Sequence, residues 1–394
     1  MCKSFLYLVV AAELFSQIHQ GEAFVSVLLT SQKLNSFQLH EMLSSQTITP
    51  SSWQPGTEIL SLDPDILASS SGSSPQLAKD TEYAKAILKS WKEDVDTRTA
   101  ESTSICTSIE YKCSNNNGTS LHGYIYRRST VEDLGTVSSN VPGLILFHTG
   151  AGPQDMFLKW KADSLVNDEI FPDGCVVLVA DIIGDKDGWA WTDRSRYEKV
   201  RKIVLTPDEN GERNELQCRS RAAVNTLLSQ PGVDSSRLAG LGFCMGGHPI
   251  LEMARMKIPS IKALVTYHGV FDGVERLSLG SNSNDELDES KPDLSLGSNS
   301  NDELDMSKPD VLICTGDDDP FVKEQHLQGA IAMFTKFGGN CRVISFENTR
   351  HGFTNPAQAY NPSDAFAFDA HAYLESFSAT RSLLRKTFEL DKED

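Results

Sequence analysis

At 394 residues, 39% hydrophobic and 23% charged, the chain can bury a substantial core, as one large α/β domain with attachments or as two smaller domains. Even use of aliphatic and aromatic residues excludes collagen-like, coiled-coil and wholly disordered classes. The 36 Lys+Arg against 54 Asp+Glu give a net charge of −18, which argues against nucleic acid or an anionic membrane as partner, because the basic excess that neutralises phosphates is missing.

No apolar run approaches the roughly 18 residues that span a bilayer, so a soluble chain with no membrane span is expected. The N-terminus carries Lys3, an apolar run from Phe5 to Ala12 and the small-x-small site Gly21-Glu22-Ala23. Residues 1–23 therefore read as a signal segment for the secretory pathway, with a plastid or extracellular destination. The Ala23-Phe24-Val25 junction and the Ser/Thr-rich, charge-poor stretch 24–57 suit a plastid leader. The alternative is a buried N-terminal helix in a cytoplasmic protein. Residues 24–100 lack sustained periodicity and form a leader and linker, with one amphipathic helix over Thr81–Val95.

A hairpin over 105–113 and 121–127 opens the domain predicted at 101–388, and the sequon Asn117-Gly118-Thr119 falls on its turn. Eight cysteines do not make a disulfide scaffold. Cys106 and Cys113 could bridge in an oxidising compartment, the simpler reading being two thiols on one strand. Beyond Val141, apolar runs alternate with helical patterns, the signature of a mainly parallel sheet with crossover helices on both faces. Strands are predicted at 142–148, 175–181, 237–243, 261–267, 310–315 and 341–346, and helices at 160–170, 215–230, 246–256, 321–337 and 364–386. Residues 277–293 and 294–310 are a tandem 17-residue duplication differing only at Glu289 and Met306. Two Lys against nine Asp+Glu make it net −7, so it reads as a solvated loop insertion. An acidic tail, 389–394, closes the chain.

Gly242-Phe243-Cys244-Met245-Gly246-Gly247 sits directly after one predicted strand and before a helix. This is the G-x-nucleophile-x-G form of a nucleophile elbow, with Cys in place of Ser. So tight a turn strains the nucleophile's backbone and leaves no room for side chains at 242 and 246. It also presents Cys244 at a helix N-terminus, which favours a thiolate. Downstream, Asp317-Asp318-Asp319 follows the 310–315 strand and His351 follows the 341–346 strand, the chain order nucleophile, acid, His.

These motifs, with Asp319-Pro320-Phe321-Val322, Arg350-His351-Gly352-Phe353, Leu146-Phe147-His148 and Asp181-Ile182-Ile183-Gly184-Asp185, make the stretch from about Pro142 to Phe377 resemble the dienelactone hydrolase family of the α/β-hydrolase superfamily. The resemblance implies an α/β-hydrolase fold and a Cys-His-Asp hydrolase that needs no cofactor and no metal. It selects Asp319 over its neighbours as the acid, with backbone N–H groups of Met245 and Gly150 as the oxyanion hole. Thr149 stands where the best-known members carry a Glu, and Asn355 stands where they hold a substrate carboxylate with Arg. Both departures argue against the family's own dienelactone and leave a small-molecule ester or lactone as substrate. Trp189 and Trp191 are candidate pocket walls beside Thr149 and Asn355, and Arg194 and Arg196 candidate anion contacts. His148, His248 and His268 lie near strand ends or the elbow helix and are either site residues or hydrogen-bonded structural ones. Two other readings stay open: a non-catalytic ligand-binding or redox-sensing protein on the same fold, and acyl transfer to an acceptor other than water. The oligomeric state has no signature in the sequence.

Overall fold

The computed structural model describes residues 104–114, 118–128, 140–184, 194–277, 308–361 and 363–390. The leader and linker, the Thr81–Val95 helix, Asn117, Trp189, Trp191, residues 278–307 of the duplication and the last four residues lie outside them. Strands β1 (Ser104–Lys112) and β2 (Ser120–Arg128) form the hairpin. They are followed by β3 (Val141–Phe147), α1 (Met156–Val166), β4 (Val176–Ala180), α2 (Arg194–Leu205), α3 (Asn214–Leu228), β5 (Val233–Phe243), α4 (Gly247–Arg255) and β6 (Ile261–Tyr267). After the insertion come β7 (Asp310–Gly316), α5 (Glu324–Phe337), β8 (Cys341–Phe346) and α6 (Ala370–Thr387). The sheet runs β1-β2-β4-β3-β5-β6-β7-β8; β2 is antiparallel to β1 and β4, and every later pairing is parallel.

Strands β3 (VPGLILF) and β4 (VVLVA) are apolar throughout because both their faces are covered. Along β3, Leu144 and Leu146 join the core under α1 and α6, whereas Ile145 and Phe147 join the core under α2, α3, α4 and α5. This two-residue alternation is the pleat itself. On the first face Phe243 stacks on Tyr267 (centroids 4.7 Å apart) and meets Phe157 edge-on at 5.3 Å.

Two predicted helices start four or more residues from their expected positions. α1 begins four residues before the expected 160 because Asp155 caps it, its carboxylate accepting the Phe157 N–H at 3.0 Å. α6 begins at 370, not 364, because the preceding residues pair with the segment around His351: His351 N–H donates to Ala365 O and Ala367 N–H to His351 O. A Cys106–Cys113 bridge does not form. The two are seven residues apart along an extended segment, about 23 Å at ~3.3 Å per residue, on opposite faces. Cys113 is instead bonded to Cys218 on α3, and Cys106 is a free thiol.

Candidate active site

In a parallel sheet the loops at the carboxyl ends of the strands share one edge. Here they carry Thr149–Gly152 after β3, Asp181–Gly184 after β4, Cys244 after β5, His268 after β6, Asp319 after β7 and His351 after β8. The chain leaves β5 with Phe243 still extended (φ −114°), and Cys244 turns to φ +54° at the head of a 3₁₀ turn, Cys244–Gly246, that runs into α4. For a side chain other than Gly this left-handed backbone stores strain of about 1–3 kcal/mol, held in place by its surroundings. Those surroundings are visible: a Cβ at Gly242 would lie 2.2 Å from the Gly246 carbonyl oxygen, and one at Gly246 would lie 2.5 Å from the Phe147 oxygen. The Cys244 carbonyl accepts the Val270 N–H at 2.9 Å. The thiol is half-buried at the start of the helical segment.

His351 is buried within electrostatic reach of Cys244, with its Nδ1 2.6 Å from Asp319 Oδ2. The second oxygen of Asp319 accepts the Phe321 N–H at 2.9 Å, which fixes the carboxylate's rotation. Asp317 and Asp318 point to solvent, the latter 3.3 Å from exposed Arg350. Burial pushes His351 toward its neutral form, but attraction from Cys244 and Asp319 outweighs it, and the imidazole rises to about 10.

Thr149 is half-buried and does two things with one hydroxyl: it donates to Asp155 Oδ2 at 3.1 Å and accepts the Ala151 N–H at 3.1 Å. A carboxylate is therefore present behind the loop, one side chain removed from where the family's Glu would stand. Burial raises Asp155 to about 6 against the lowering effect of the Phe157 N–H, Thr149 and Lys159. Fully buried His148 supports the same loop: its Nδ1 donates to Thr149 O at 2.6 Å and its Nε2 accepts the Ile182 N–H at 3.2 Å. Burial drops its pKa to about 4, keeping it neutral.

His268 meets the His351 ring edge-to-face at 4.9 Å, and its Nε2 pairs with Thr354 Oγ1 at 2.9 Å. Burial, and then the charge of His351, hold it well below the ordinary His value. His248 sits away from the thiol in a buried network. Its Nδ1 accepts from Arg213 at 3.1 Å and its Nε2 donates to Asp272 at 3.2 Å, tying α4 to the loop after β6. Asn355 is buried and its side-chain oxygen caps the turn Pro356–Tyr360 through Ala357 N–H. Arg196 is exposed on α2.

Three aromatic residues at the site escaped the sequence reading of pocket walls. Phe321, 42% exposed, lies 4.8 Å from His351, and Phe366 lies 5.4 Å from His351 and 5.2 Å from Phe321. Tyr197 of α2 reaches Met245 Sδ at 3.6 Å. Phe321 lies within the Asp-Pro-Phe-Val motif and could have been read as a wall; Phe366 and Tyr197 have no local signal.

The profile of the dienelactone hydrolase family matches residues 134–388. A curated, uncharacterized protein of Caenorhabditis elegans is 29% identical over 184 residues, 47% of this chain and 99% of that one. Among solved structures, a dienelactone hydrolase-like promiscuous phosphotriesterase, P91, from metagenomic libraries superposes with a TM-score of 0.54 at 24% identity. The protein named m3DLH superposes with 0.53 at 23% identity; each covers 72% of this chain and 99% of its own. At such identities the structures attest the α/β-hydrolase fold alone, while the profile extends across all the strand-end loops above except the hairpin that precedes them. With the sheet order, the elbow and the family match together, the chain belongs to the dienelactone hydrolase family and is a hydrolase of the α/β-hydrolase fold.

Proposed function

We propose that the protein hydrolyses a small carboxylic ester or lactone through Cys244, His351 and Asp319. The observation that carries this reading is the buried His351–Asp319 pair, joined at 2.6 Å, beside the half-buried thiol of Cys244 at the elbow. His351 takes the proton of the Cys244 thiol as the sulfur becomes the nucleophile. Sulfur attacks the carbonyl carbon, and the oxyanion forms against the backbone N–H of Met245, first residue after the nucleophile, and of Gly150 in the loop after β3. His351 then protonates the departing alkoxide, leaving a thioester on Cys244. Water, deprotonated by His351, attacks the thioester and regenerates the thiol. Asp319 holds the Nδ1–H tautomer and offsets the imidazolium charge throughout. No cofactor enters any step.

Thr149 supplies no charge next to the thiol, so activation falls to His351. The Phe321–Phe366 pair beside His351 supports an apolar group on the substrate's leaving side, and Asn355, engaged in a turn, supports a substrate without the carboxylate that an Arg there would hold. Passage of the chain through an oxidising compartment is supported by the Cys113–Cys218 bond and the N-terminal signal pattern. The test is turnover of short p-nitrophenyl esters, simple lactones and a phosphotriester by the full chain. Cys244→Ala and His351→Ala each abolish ester turnover nearly completely while Asp317→Ala leaves it unchanged. Full activity in Cys244→Ala overturns the mechanism.

A further inference from the structure

The disulfide between Cys113 and Cys218 joins the end of the hairpin to α3 across 105 residues of chain. Its two neighbours converge on one short segment from opposite sides. Two residues before Cys113, Tyr111 uses its hydroxyl both to donate to Asp181 O at 3.0 Å and to accept the Asp181 N–H at 2.9 Å. Immediately after Cys218, Arg219 donates from Nη1 to Ile182 O at 2.9 Å. The hairpin adds His122 N–H on Asp181 Oδ2 at 3.0 Å. The segment so gripped in turn donates Ile182 N–H to His148, and His148 donates to Thr149 O in the loop that precedes Gly150. Short stretches of backbone joined by hydrogen bonds thus lead from the residues beside the disulfide to the Thr149–Gly152 loop.

The two sulfurs differ in access. Cys113 is buried, whereas Cys218 is half-buried and opens into a groove of about 220 Å³ lined by Lys112, Ser114, Arg221, Asn225 and Ser229 among others. Lys112 and Arg221 are exposed at its rim, two positive charges where an incoming thiolate would approach. None of the residues lining the groove takes part in the hydrolytic steps.

We propose that the Cys113–Cys218 bond is a reducible control point: a dithiol reductant attacks Cys218 through this groove, and opening the bond relaxes the two-sided grip on Asp181–Ile182 that positions the Thr149–Gly152 loop. The reductant's thiolate bonds to Cys218 Sγ and displaces Cys113 as thiolate. Its second thiolate then attacks its own sulfur in the mixed disulfide, releasing Cys218 and leaving the reductant as a disulfide. Two electrons pass to the cysteines, and the two protons lost by the reductant end on the two thiols. The effect on turnover rests on the proposed hydrolytic role of the loop; the effect on the loop does not.

The test compares the full chain, oxidised and after native treatment with dithiothreitol, by p-nitrophenyl acetate turnover and by peptide-level hydrogen exchange, with alkylation and mass to report both cysteines. Reduction is expected to lower kcat/KM about tenfold, as a coupling between sites of ordinary size would, and glutathione disulfide to restore it. Exchange should speed up over 148–152 and 181–184 and stay unchanged in α4. The double variant C113S/C218S should show the reduced behaviour and ignore dithiothreitol. Tyr111→Phe, with its disulfide intact, should reproduce the faster exchange, which keeps the test open if the double variant folds poorly. In the single variants glutathione disulfide should modify Cys218 in C113S faster than Cys113 in C218S. Complete reduction with unchanged exchange in both segments overturns the proposal, as does exchange that rises equally in α4, which marks the bond as a general staple. Faster local exchange in a protein that turns over no ester upholds the control point and rejects the hydrolytic reading instead.

Discussion

Asp319→Asn tests the acid–His pair with the least disturbance, because the change is isosteric and the structure dictates how the amide must sit. The Phe321 N–H, 2.9 Å from Asp319 Oδ1, needs an acceptor, so the amide oxygen of Asn stays there. That places the NH₂ group where Oδ2 now lies, 2.6 Å from His351 Nδ1. Two donors cannot face each other, so Nδ1 must give up its proton and accept. The imidazole proton moves to Nε2, the nitrogen that takes the proton from Cys244, and the base is blocked. The carboxylate charge that favours imidazolium is lost as well. The same exchange in a Ser-His-Asp protease lowers kcat about ten-thousandfold. At ~1.36 kcal/mol per decade that is about 5.5 kcal/mol of lost transition-state stabilisation. The assay is kcat and KM for p-nitrophenyl acetate from pH 5 to 10, with ¹⁵N shifts of His351 to report the tautomer. A variant within about tenfold of the parent at pH 7, with Nδ1 still protonated, refutes the argument.

Other expected outcomes follow from the same contacts. Cys244→Ala removes the attraction of Cys244 on His351, so the imidazole should titrate well below 10, followed by NMR. The folded-state pKa of His351 lies above its ordinary value, so its contribution to stability is complete below about pH 6.5 and is lost as pH rises toward about 10; urea midpoints should fall across that window in the parent and less in Cys244→Ala. Asp155 is the opposite case: a carboxyl raised to about 6 binds its proton more tightly when folded, so the ionised form penalises the fold above that pH. Asp155→Asn should therefore stabilise at pH 7 to 8 by at most about 3 kcal/mol, two pKa units at ~1.36 each, with the gain vanishing below about pH 4.

The β5–elbow–α4 unit was legible in the sequence because its cause is local: glycines at 242 and 246 are needed where backbone meets backbone, and a strand pattern precedes them. The sheet was legible for a similar reason, since strands covered on both faces carry long apolar runs such as 143–147 and 176–180. What stayed hidden depends on distant partners. The start of α6 is set by residues 365–367 pairing with the His351 loop, and helical periodicity is blind to such a contact. The Cys113–Cys218 pairing joins residues 105 apart, with no spacing rule to announce it. Arg213 belongs to no motif, yet it is fully buried between Leu205 O, His248 and Asp272 O. Asp155, unremarkable in sequence, supplies the carboxyl behind Thr149 only because the loop after β3 folds back onto the first turn of α1.

The central claim is covalent: an acyl group passes through Cys244. The direct measurement mixes the full chain with a short p-nitrophenyl ester, follows the first turnover by stopped flow, and acid-quenches for intact and peptide mass. The account predicts a burst of about one nitrophenolate per chain and an acyl adduct on the Cys244 peptide, both absent after iodoacetamide. No burst and no adduct, with Cys244 freely alkylated, contradicts it and leaves a thiol that is reachable but not a nucleophile in catalysis.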